Sequence, residues 1–165
     1  MSIKQKEKGF TIIEVVLVLA IAGLIFMMVF VALPGLQRAQ RDTQRKNDMA
    51  RMMTQLSSYS SNNRGAIPVD LITPAATSFV LNYLGGTAAN TAGGEYLEPS
   101  TGLGYTFITV NTAIPAAPAL GAIYYDTSAH CGVDGALVAD TARKFTLRTR
   151  LEGQKANVPY CIDNR

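Results

Sequence analysis

The sequence predicts an α+β protein: a long amino-terminal helix, membrane-spanning in its first half and packed by its second half on a small antiparallel sheet. Three observations carry this. Phe10 to Leu33 is apolar except at Thr11 and Glu14. Met49, Met52, Met53, Leu56 and Tyr59 recur at the spacing of one helical face. From Tyr105 onward the apolar period falls to two, the mark of strands.

The apolar run comes first. As a helix it is about 36 Å long, enough to cross a hydrocarbon core of roughly 30 Å with some tilt. A short polar head with Lys4, Lys6 and Lys8 precedes it. A secretory signal has an apolar core of about 7–15 residues closed by a small-residue cleavage site. Here the run is longer, and Ala32-Leu33-Pro34 provides no such site. The span is therefore an uncleaved anchor, or its processing lies before it. Glu14 is the one acid in the span. Such a residue is functional by default, because its cost in lipid has to be met by a partner. The plain alternative is an acid near a helix end that reaches the headgroups.

Pro34-Gly35 follows. Proline removes a helical hydrogen bond and clashes with the preceding turn, and glycine adds about 1 kcal/mol of propensity cost. Two readings stand: the helix ends here, or a longer helix bends here. Gln37 to Asp48 is polar on every face, a pattern expected to be solvated or to bridge two bodies. Arg38 with Asp42 and Asp42 with Lys46 fit helical i,i+4 pairs. The methionine stripe then needs a cover, taken to be a sheet. Ser60 to Gly65 ends the helix, with Gly65 as a left-handed stop.

Ala66 to Gly104 reads as a connector. Thr73-Pro74 is a start signal for a short helix to Leu84, stopped by Gly85-Gly86. Thr87 to Gly94 is a small, polar loop, and Ile114 to Pro118 an extended one. Strands are expected at Tyr105–Val110, Ala122–Asp126 and Lys144–Leu151, with an edge piece at Ala136–Val138 and a returning segment at Tyr160–Ile162. Hairpin-length connections favour an antiparallel sheet with one face on the helix and one on solvent.

Composition excludes some functions. Past the span about 130 residues remain, enough for one domain. The net charge of +3 is small, and the basic residues form no tract with aromatics, which argues against a nucleic-acid partner. Cys131 and Cys161 form neither a C-x-x-C nor a zinc pattern. Following a membrane span, they suggest one disulfide in an oxidising compartment. It would close a loop of about 30 residues, worth roughly 3–4 kcal/mol. Two free buried thiols are the alternative. His130 beside Cys131 is no evidence of a catalytic dyad. Gly102-x-Gly104 neither follows a strand nor opens a helix, so it is no phosphate loop. Asp126, Asp134 and Asp140 fit no EF-hand spacing and read as ordinary carboxylates rather than a calcium site. No catalytic constellation, cofactor or metal site is expected.

Lys8-Gly9-Phe10-Thr11-Ile12-Ile13-Glu14 resembles the prepilin signature of type IV pilins and related pseudopilins. The likeness covers about the first 50 residues. It implies a pilin fold, with a disulfide-bounded carboxy-terminal region. It implies cleavage by a prepilin peptidase between Gly9 and Phe10, and N-methylation of Phe10. Residues 1–9 become a leader, 10–33 a transmembrane and filament-core helix, 34–62 its amphipathic continuation, and 63–165 the head. The resemblance allows a kink, or a local loss of helix, at Pro34 and Gly35. The new α-amine on Phe10, with a reference pKa of about 8, would be largely protonated. It could neutralise Glu14 of a neighbouring, staggered subunit. The partners implied are other copies in a helical filament, an inner-membrane platform protein and motor ATPases.

Lysines before the span are matched by Arg38, Arg41, Arg45 and Lys46 after it, so charge counting does not orient it. The resemblance and the cysteines place the carboxy-terminal domain outside the cytoplasm, with the chain ending in a surface filament. The function expected is a major pilin of a type IV pilus, serving adhesion or twitching motility. The alternatives are a minor pilin or pseudopilin of a type II secretion or competence system, and an uncleaved single-pass anchor carrying an extracellular binding domain.

Overall fold

A computed structural model describes residues 9–68, 79–86, 91–109, 118–141, 143–155 and 158–164. The lysines of the head, Thr73-Pro74 and residues 114–117 of the Ile114–Pro118 loop lie outside them, as does the first half of the Thr87–Gly94 loop. The chain divides into two compact units, Met1–Gln37 and Arg38–Arg165.

Helix α1 spans Ile12–Asn62 and contains Pro34. The reading in which the helix ends at Pro34-Gly35 is therefore set aside. Apolar residues with good helix propensity sustain the first part, and burial of one face sustains the second. The carboxy-terminal stop is as expected. Gly65 has φ +83° and its N–H donates to Ser60 O at 2.8 Å, a closure that a side chain at this φ would disfavour. A short helix α2 covers Phe79–Tyr83.

In the second unit, strands β1 (Thr106–Thr109), β2 (Ala122–Thr127), β5 (Phe145–Thr149) and β6 (Tyr160–Asp163) form one sheet in the order β1-β2-β5-β6. Pairs β2–β5 and β5–β6 are antiparallel, but β1 joins β2 in parallel. The sheet is thus mixed, and its parallel pair needs a connection longer than a hairpin. Residues 110–121 supply that length. A second, two-stranded sheet pairs β3 (Ala129–Cys131) with β4 (Leu137–Ala139) around a 3-10 turn at Val133–Gly135.

The core lies where the methionine stripe meets the sheet. Met49, Met52, Met53 and Leu56 of α1 pack with Phe107, Ile123, Tyr125, Phe145 and Leu147. Phe79, Val80, Leu84 and Tyr96 close it from the connector, with Tyr105 just ahead of β1. Each such side chain removed from water contributes about 1.5–3 kcal/mol, so this layer dominates the head's stability. Gly104 shows how tightly the connector is folded. A Cβ there would stand 1.7 Å from Ala92 O, so no larger residue fits.

The expectation of a solvated sheet face is corrected. Tyr124, Asp126, Thr146 and Arg148 point away from the helix, yet all are buried. Strand β3 lies beside β5 and β6. Arg148 donates to Asp126 Oδ2 from Nε at 3.2 Å and Nη2 at 2.7 Å, so the charge taken from water is matched.

Candidate assembly segment and its anchorage

Thr11 immediately precedes α1, and Glu14 is its third residue. The two form a reciprocal cap. Thr11 N donates to Glu14 Oε2 at 3.0 Å, and the Thr11 hydroxyl donates to the same oxygen at 2.7 Å. In return Glu14 N lies 3.4 Å from Thr11 Oγ1. This is the capping-box arrangement, which satisfies amide groups that a helix start leaves open. The carboxylate also sits at the positive end of the helix dipole. Glu14 thus has a partner in its own chain, which the sequence reading did not include. The Thr-x-x-Glu spacing ahead of an apolar run was the available signal.

Around this cap the helix surface is bare. Phe10 is 89% exposed, and every large apolar side chain from Ile12 to Leu36 is exposed in the isolated subunit. Among the described residues this is the one helix long and apolar enough to cross a membrane, with mean hydropathy 3.1 in its most apolar window. Exposed apolar surface on this scale requires lipid or protein to cover it.

At the other end of α1 the polar stretch does not behave as a solvated helix. Asp42, Arg45 and Asp48 lie on the buried face. Arg45 is 0% exposed. Its Nη1 donates to Asp42 Oδ1 at 2.7 Å, its Nε to Glu98 Oε1 at 2.9 Å, and its Nη2 lies 2.8 Å from Glu152 Oε1. Arg41 grips Glu152 in a fork, at 2.8 and 2.6 Å. Asp42 also accepts the backbone N–H groups of Glu152 and Gly153, at 2.9 and 2.7 Å. The expected Asp42 pairings with Arg38 and Lys46 are replaced by these contacts, which reach further along the chain. Lys46 instead stands over the Tyr160 ring, 5.5 Å from its centroid.

The electrostatics follow the geometry. Hydrogen bonds from Arg41 and then Arg45 outweigh burial and hold the Glu152 carboxyl at about 2. Burial pushes Glu98 upward, but Ser100 and Arg45 outweigh it and hold it below its ordinary value. Burial would likewise lower Arg45, and the three carboxylates outweigh it and raise it. Asp48, facing the Tyr105 hydroxyl at 3.1 Å, is pushed up by burial.

Cys131 and Cys161 are joined in a disulfide with Cα atoms 5.9 Å apart, tying β3 to β6. The three aspartates considered for calcium do not converge. Asp126 faces Arg148, Asp140 lies 2.9 Å from His130 Nδ1, and Asp134 sits in the 3-10 turn.

With this geometry in place, the comparison with known families is specific. Residues 4–30 match the model of the prokaryotic N-terminal methylation motif. No curated protein and no solved structure matches the chain. The amino-terminal segment is a class III signal, the kind carried by type IV pilins and pseudopilins. The match lies in the amino-terminal segment, and it is what a type IV pilin or pseudopilin carries there. The apolar helix fits membrane anchorage.

Proposed function

We propose that the chain is the major structural subunit of a type IV pilus, serving adhesion or twitching motility. The leader is cut between Gly9 and Phe10, and the new amino terminus on Phe10 is methylated. Residues 10–33 anchor the subunit with its head outside the cytoplasm. The platform protein and motor ATPases then transfer that helix from lipid into a filament of identical copies.

One observation carries this reading: the methylation motif over residues 4–30 takes in the start of α1, whose apolar half is exposed and holds its single acid in the first turn. Leaving lipid for a helix bundle yields little hydrophobic gain, so packing and polar matches have to favour assembly. The α-amine of one Phe10 is the complement of the next subunit's Glu14. Their pairing sets the axial stagger between neighbours. In this reading Pro34 and Gly35 are the weak point of α1, where one helical hydrogen bond is missing.

Replacing Glu14 with Leu tests this directly. The expected outcome is normal membrane insertion with loss of filaments, scored by fractionation and electron microscopy. Abundant, regular filaments from E14L would reject the charge match. Copy number in purified filaments separates the major subunit from a minor pilin or pseudopilin.

A further inference from the structure

We infer that the head binds a neutral, hydroxyl-bearing ligand, a saccharide unit, in a cleft on the outer face of its sheet. Asp126 is the recognising group, with Thr146 beside it. The inference goes beyond filament formation and does not rest on it.

The cleft has a volume of about 510 Å³ and is lined by Asp126, Thr127 and Ser128 at the end of β2 and by Ala129, Leu137 and Ala139 of the β3–β4 hairpin. That size falls within the range of ordinary small-molecule pockets. Ser128 turns the chain between the two strands in the left-handed region, at φ +59°. Its N–H donates to Lys144 O at 2.6 Å and its C=O accepts from Asp140 N–H at 2.8 Å, so the corner is fixed. One wall is polar, and the other is made of small or aliphatic side chains. Walls of opposite character suit a sugar ring, which carries hydroxyl groups on its rim and C–H groups on its faces. Asp126 is 2% exposed and Thr146 is 0% exposed. The Arg148 Nε and Nη2 donors both end on Asp126 Oδ2. Among the described residues Oδ1 has no hydrogen-bond partner, and neither has the Thr146 hydroxyl. The two residues are directly opposite in the β2–β5 register, which puts their Cβ atoms about 4.5–5.5 Å apart. A buried acceptor left unpaired is costly, so Oδ1 calls for a donor. The chemistry of that donor follows from the pair. Arg148 already balances the Asp126 charge, so a cation would leave a net charge buried. An ammonium group only donates, whereas a hydroxyl can donate to Oδ1 and accept from Thr146 at once.

Binding is measured on the full chain, dispersed in a sugar-free zwitterionic detergent, by amide NMR shifts on adding methyl glucoside, methyl galactoside or methyl mannoside. At least one glycoside is expected to give saturable shifts at Thr127, Ser128, Ala129 and Ala139. Two variants leave the Asp126–Arg148 pair intact. Thr146→Val removes the unpaired hydroxyl. It is expected to weaken binding about tenfold, the scale of one hydrogen bond, without lowering the unfolding midpoint. Ala139→Phe fills the cleft from an exposed position and is expected to abolish the shifts. No saturable shift with any of the three glycosides overturns the proposal and leaves solvent as the partner of Oδ1. Unchanged affinity in T146V, or shifts that survive A139F, overturn it as well. So do matching shifts from ammonium chloride at constant ionic strength, which would make the cleft a cation site.

Discussion

Arg45 is the residue on which the head's geometry turns. A guanidinium at 0% exposure requires partners for its donors, and Asp42, Glu98 and Glu152 supply them from three parts of the chain. A buried pair is a weak source of net stability, but stripping one partner costs about 3–5 kcal/mol. The cluster therefore specifies register. Sliding α1 along the head would strand the charge in the interior. Glu152 makes the arrangement sensitive to acid. Its folded value of about 2 lies below the ordinary 4.5, so its ionised form stabilises the fold at neutral pH. That contribution is lost as pH falls through the window from 4.5 to about 2. Asp48 and Asp126, raised by burial, act in the opposite direction. Comparison with Glu152→Gln cancels them. The variant is expected to be less stable at neutral pH by about 1–2 kcal/mol, with the gap closing as the pH is lowered through that window. Thermal unfolding of the full chain in detergent, at stepped pH, measures it. A gap that is constant with pH would contradict the assignment.

Among the elements, α1 was the most legible and also the most misleading. Its apolar half, methionine stripe and glycine stop all follow from spacing and propensity. The polar stretch between them reads only as solvated or as bridging two bodies, because its partners lie far away in sequence. Asp42 and Arg45 continue the same face as Met49, Met52 and Leu56, but a period counted only on apolar residues passes over them. Glu98 and Glu152 become their partners only once the connector and the turn after β5 fold back. The strands show a similar limit. Alternation in β5 separates Phe145 and Leu147 from Thr146 and Arg148, but it does not reveal that both sets are covered. Parallel pairing of β1 with β2 was invisible for the same reason: strand direction depends on the path of the connection. The disulfide needed only two cysteines and a compartment. It joins β3 to β6 across a separation of 30 residues. Replacing Cys131 with Ser is expected to cost the head about 3–4 kcal/mol, seen as a lower unfolding midpoint with α1 helicity retained at low temperature. An unchanged midpoint would show that the β3–β6 contact holds without the bond.

On the scale of the whole molecule, the chain combines two solutions to exposed surface. The head buries its own stripe against a sheet. The apolar half of α1 is left bare, and lipid and then neighbouring copies are proposed to cover it in turn. Glu14, capped by Thr11 in the isolated subunit, is proposed to link the two stages by meeting the amine that leader removal would create on Phe10. The proposed assembly route therefore depends on a free, methylated amino terminus at Phe10. Intact mass of the subunit recovered from surface filaments tests this most directly. The expected mass corresponds to residues 10–165 with the disulfide formed and one methyl group on the amino terminus. A subunit that retains Met1–Gly9 would contradict it, and would leave an anchored domain that does not polymerise through Glu14.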